Sequence, residues 1–147
     1  MSDETMQFSA DDAAELVARL DRQRELYADL LDLSSRQVRI IEGEGGAERL
    51  LEVLGRKQVL INRLAELEQE MRPLKKSWQQ SGGSLESPGR LEIAQSVCGL
   101  QSTLAELLAL EERSRAVLEA RQGEVATRLR GLEQCRKAQC AYGSGKA

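Results

Sequence analysis

The chain has 147 residues, 41% of them hydrophobic and 31% charged, with four aromatics, no histidine and a net charge of −3. One domain is expected at that length, and few aromatics and threonines beside abundant Ala, Leu, Glu, Arg and Gln favour helix over a β-sandwich or barrel. Without histidine, the commonest general base, the commonest metal ligand and the usual activator of Ser or Cys are missing, which argues against an enzyme.

Residues 1–8 read as a loose tail. Ser9 is a good helix cap, and Asp12, three residues on, suits the positive end of a helix dipole. Apolar residues then recur at Ala13, Leu16, Val17, Leu20, Tyr27, Leu30, Leu31, Val38 and Ile41. That period predicts a helix over about 9–42, with Arg24 and Ser34 as its weak steps. Gly43, Gly45 and Gly46 then stop it.

A second helix is predicted over about 47–80. Leu50, Lys57, Leu64, Met71 and Trp78 recur every seven residues, interleaved with Val53, Leu60, Leu67 and Leu74. Lys57 alone breaks this seam, while Leu54 and Ile61 widen it. Such a heptad specifies packing against another long helix. Pro73 falls inside the pattern and predicts a kink or a shifted new segment. The stretch 81–89, rich in Ser and Gly and containing Pro88, reads as a loop.

The third helix is predicted over about 90–139. Its front half carries Ala94, Val97, Cys98, Leu104, Leu107, Leu108 and Leu110; its far half thins to Val117, Leu118, Val125, Leu129 and Leu132. Glu111, Arg115 and Gln122 stand where a packed seam would place Leu, and Gly123 and Gly131 weaken the helix further. At ~1.5 Å per residue, helix three outruns the first two by roughly 15 residues. Residues 140–147 read as a flexible tail. The fold class expected is therefore all-α: one domain over 1–147, an elongated antiparallel three-helix bundle or coiled-coil-like hairpin with a long C-terminal helix.

Charge is uneven along the chain. Residues 1–46 hold eleven acids and five bases, residues 47–80 five and seven, and residues 81–147 eight and nine. The nearest thing to a basic stripe, Arg121, Arg128, Arg130, Arg136 and Lys137, is diluted by Glu124 and Glu133, too weak for nucleic acid. Three cysteines, Cys98, Cys135 and Cys140, make neither a disulfide framework nor a metal site; Cys98 reads as a small buried apolar residue. The carboxylates Glu106, Glu111, Glu112 and Glu119 read as a solvated helix face, since di-metal bundles also draw on histidine. No cofactor or metal is expected. The acidic N-terminus is no signal peptide, and no apolar run near 18 residues is found, so the reading is a cytoplasmic chain without a membrane span. The half-apolar end of helix three stands apart from these features. It is either a frayed or dimerising extension, or a surface for an amphipathic partner helix with anchors spaced i, i+3/i+4, i+7.

Residues 26–78, LYADLLDLSSRQVRIIEGEGGAERLLEVLGRKQVLINRLAELEQEMRPLKKSW, resemble the FlgN family of flagellar export chaperones. The resemblance lies in a leucine-rich helix end at RQVRIIEGE, a short glycine turn, and a helix of the form LLEVLGRKQVLINRLAELE. It implies a small cytosolic helical protein that holds hook-filament junction proteins before type III secretion. It also implies that amphipathic terminal helices of those clients are gripped by the C-terminal helical region, residues 111–139 here, with the export apparatus as a further partner. The partner-binding residues expected are Val117, Leu118, Val125, Leu129 and Leu132. A self-associating bundle, dimeric through helix three, is the alternative.

Overall fold

A computed structural model describes residues 8–82 and 89–144. It contains three helices, α1 (Ala10–Arg39), α2 (Ala47–Ser77) and α3 (Arg90–Ser144). Expectations for residues 1–7, 83–88 and 145–147 lie outside the described residues. At ~1.5 Å per residue, α1 and α2 are each about 45 Å long and α3 about 80 Å.

α1 begins on a reciprocal cap. The Ser9 hydroxyl accepts from the Asp12 amide at 3.1 Å, and the Asp12 carboxylate accepts from the Ser9 amide at 3.0 Å. Two orphan amides are thereby satisfied. The helix ends in a wide π turn, Ile40–Glu44, where Gly43 at φ 119° takes a conformation that a side chain would disfavour. α2 departs antiparallel from there. It runs through Pro73 as one helix, with no new segment beginning there, and a π turn follows at Trp78–Gly82. Leu67, Met71 and Leu74 pack into the core on both sides of the proline. Tertiary contact of this kind holds a helix across one lost amide.

α1 lies between the other two helices and packs closely against both, while α2 and α3 meet through side chains such as Lys57 and Glu111. Gly89 lies against Ala13, Ser96 donates to Asp21 at 3.1 Å, Gly99 lies against Arg24, and Ser34 donates to Glu111 at 2.7 Å. Those pairs keep a nearly constant offset, so α1 and α3 run parallel. Arg19 pairs with Glu70 and Lys57 donates to Gln37, placing α2 antiparallel to α1. The order is up, down, up.

One core joins the three helices. It holds Leu16, Leu20, Leu26 and Leu30 from α1, Leu64, Leu67 and Met71 from α2, and Ile93 and Leu107 from α3, closed at one end by Phe8. Phe8 was expected in a loose tail; instead it is buried edge-on against Trp78, with ring centroids 5.2 Å apart. Facing two helices at once gives α1 a wider buried face than one stripe predicts. Gln23, Leu26, Leu33 and Gln37 are buried as well, and so is Ser34, the supposed weak step.

Lys57, the flaw in the α2 heptad, turns out to be a polar layer across the bundle. Its ammonium donates to Gln37 of α1 at 2.6 Å and to Glu111 of α3, which also accepts from Ser34. Burial pushes the Glu111 carboxyl up, but the hydrogen bonds from Lys57 and Ser34, with the charge of Lys57, outweigh it and leave Glu111 below the ordinary carboxylate value. Glu111 thus departs from the solvated face expected for it. Cys98 also departs from expectation: it is exposed, as are Cys135 and Cys140, and all three are free thiols. The reason is helical phase, since α3 turns Ile93, Ser96, Leu107 and Ser114 inward and carries Ala94, Cys98 and Leu108 outward.

Candidate functional site

The bundle ends where α1 ends. Arg113 of α3 pairs with Glu42 at 2.7 Å, and a Cβ on Gly43 would lie 3.9 Å from the Arg121 guanidinium. Beyond this point every residue from Leu118 to Ala141 is exposed, while α3 remains helical to Ser144. Residues 122–140, about 28 Å of helix, project past the α1–α2 turn and are exposed along their length. The helix also outlasts the boundary expected near residue 139.

Of the five residues singled out from sequence, Val117 is half-buried at the base of this projection. Leu118 is 40% exposed, Val125 53%, Leu129 57% and Leu132 66%. Exposure thus rises steadily away from the bundle. Leu51, Leu91 and Leu108 are as exposed singly, and what sets the α3 residues apart is their succession along one projecting helix.

The register of the projection follows from that of the packed part. Two rows of α3 face the core at seven-residue spacing. One runs Val97, Leu104, Glu111, Leu118, Val125 and Leu132, and stays apolar apart from Glu111. The other runs Ile93, Leu100, Leu107 and Ser114, and then becomes Arg121 and Arg128. Sequence reading counted these two arginines only as part of a diluted basic stripe. Their register, counted from Ile93, is the signal that places them in the seam. Neither makes an ion pair with a described side chain, whereas Arg113 and Arg115 do.

The rest of the surface offers shallower features. A groove of about 260 Å³ beside the α1–α2 turn is lined by Arg36, Arg39, Arg49, Arg56 and Glu52 over Ile40 and Val53. Among the described residues no group of three His, Cys, Asp or Glu side chains could hold a metal ion. Where the sequence reading found no spanning run, α3 contains an 18-residue window of mean hydropathy 1.2, long and apolar enough to cross a membrane by length and composition. Ile93 and Leu107 of the same helix are buried in the bundle core.

The arrangement is that of an all-helical protein, a short bundle that holds one long helix out beyond itself. Its aliphatic side chains Leu118, Val125, Leu129 and Leu132 stand exposed along that helix. The family described as "FlgN protein" matches residues 6–147, nearly the whole chain, and the chain belongs to that family. Membership carries a general role as a flagellar export chaperone. No curated protein and no solved structure matches the chain.

Proposed function

We propose that this chain is a cytosolic chaperone of flagellar type III export. In this reading it binds the amphipathic terminal helices of hook-filament junction proteins along Val117, Leu118, Val125, Leu129 and Leu132 and holds them until secretion. The observation that carries the reading is the projecting end of α3, a helix with exposed aliphatic side chains from Leu118 to Leu132, on a chain of this family. The mechanism is holding without bond chemistry. A client helix that polymerises through its apolar stripe assembles or aggregates early when the stripe meets water. Covering it along three heptads of α3 removes both stripes from solvent and leaves the client monomeric. An interface of about 1,000 Å² suits a reversible complex, its affinity set by a few well-packed anchors more than by area.

The test is the double substitution Val125→Asp/Leu129→Asp in the full chain. Both positions are exposed, so folding should be spared, with a stability change within about 0.5 kcal/mol. Calorimetric binding of a synthetic terminal helix from a junction protein should be lost. An unchanged isotherm would reject this face. A tight dimer through residues 111–139 that ignores the peptide would replace the reading with a self-associating adaptor.

A further inference from the structure

We infer that the projection of α3 takes a partner helix in line with α1, one that sets carboxylates opposite Arg121 and Arg128; the inference rests on the helix-binding reading above. Two observations carry it. The first is continuity with the interface already formed. Ile93, Leu100 and Leu107 of one row, and Val97 of the other, pack in the bundle where α3 lies against α1. The same rows pass the end of α1 without interruption, so the exposed Leu118, Val125 and Leu132 continue the lane that α1 occupies below. A helix seated there would have one end against the turn Ile40–Glu44.

The second observation is charge. Where the lane leaves α1, one of its two rows changes from aliphatic to arginine. A partner resembling α1, which meets that row with apolar side chains, would leave two guanidinium groups in the seam without counter-charge. A second copy of this chain fits no better. Paired in parallel, it would set Arg121 and Arg128 against their own equivalents; paired antiparallel, it would set them against Leu and Val. Residues 121–141 hold five bases (Arg121, Arg128, Arg130, Arg136 and Lys137) and two acids (Glu124 and Glu133), so two copies would also repel along their length. The occupant that satisfies both rows is an amphipathic helix with one aliphatic row and one row of Asp or Glu. Arginine suits this role, because its planar fork meets a carboxylate with two donors while its stem lies on apolar surface.

The experiment uses the full chain and two synthetic helical peptides of about 21 residues. They share a leucine row at seven-residue spacing and differ only in the neighbouring row, Glu in one and Lys in the other. Calorimetry should show the Glu peptide binding at least about tenfold more tightly, the scale expected of two partly desolvated ion pairs, and the gap should narrow in 1 M salt. Arg121→Glu/Arg128→Glu, at exposed positions, should reverse the preference with helix content unchanged, and the free chain should sediment as a monomer. Equal binding of both peptides, unaltered by the double substitution, would overturn the acidic partner and leave the helix-binding reading standing. If neither peptide binds, or the chain dimerises through α3, both fall together.

Discussion

Glu111→Ala tests whether the polar layer holds α3 to the other two helices. The substitution removes the acceptor of two buried donors, the Lys57 ammonium and the Ser34 hydroxyl. The Lys57 side chain is 10% exposed and keeps only Gln37, while Ser34 loses its acceptor. A hydrogen bond to a charged group contributes about 1.5–3 kcal/mol and a neutral one about 1 kcal/mol. The Glu111 side chain is itself 40% exposed, so water replaces part of what is lost. The net cost should be about 2 kcal/mol, which for a chain of this size lowers the melting temperature by about 4–8 °C. Urea and thermal unfolding followed by circular dichroism measure it. Adding Lys57→Met should recover most of the loss, because an apolar replacement for a buried pair is far less costly than a lone buried charge. The sign of the pH dependence follows from the lowered folded-state value of Glu111. Its stabilisation is complete above the unfolded carboxylate value near 4.5 and is lost as pH falls through the folded one. The difference between wild type and Glu111→Ala should therefore shrink in acid. A loss below about 0.5 kcal/mol, or a double variant as unstable as the sum of the singles, would refute the layer as a coupled unit.

Gly89 stands at φ 68°, and a Cβ there would lie 2.8 Å from the Cβ of Ala13. Gly89→Ala should cost about 1–3 kcal/mol from backbone strain and the forced separation of α3 from α1, read as a fall in the urea midpoint. Phe8→Ala opens the end of the core beside the only tryptophan. Trp78 emission should shift to the red and stability fall by about 2 kcal/mol, less than the 3–5 kcal/mol of a central Phe because the chain end can relax. An unmoved emission maximum would place Phe8 away from Trp78.

Local patterns made much of this molecule legible. The Ser9–Asp12 cap, the glycine stop after Ile41 and the α2 heptad are short-range signals that name the elements formed, though Leu54 and Ile61, expected to widen the α2 seam, are exposed. The exposed end of α3 was legible too, since it required only counting helix lengths and noting where leucines thin out. Residues serving two neighbours were harder to read. Gln23, Ser34 and Gln37 look polar on any single-stripe count, yet α1 is flanked by two helices and buries them. Lys57 and Glu111 each read as a defect in its own helix; 54 residues apart, they meet across the bundle. Pro73 suggests a new segment because a propensity argument takes no account of packing on either side of it. Cys98 and Leu108 read as core because a list of apolar residues does not fix the phase of α3; Ile93, which that list passed over, and Leu107 together set it.

The amino-acid sequence by itself determined an all-helical chain and a third helix too long for its partners. Those properties depend on composition and on spacing within one helix, which no neighbour can alter. Tertiary structure decided which rows of α3 face inward, because register is set where α1 and α3 pack in parallel through Gly89, Ser96 and Gly99. Only from that register do Arg121 and Arg128 fall in line with Ile93 and Leu107. A thinning leucine pattern then becomes a mixed apolar and basic lane that begins where α1 stops.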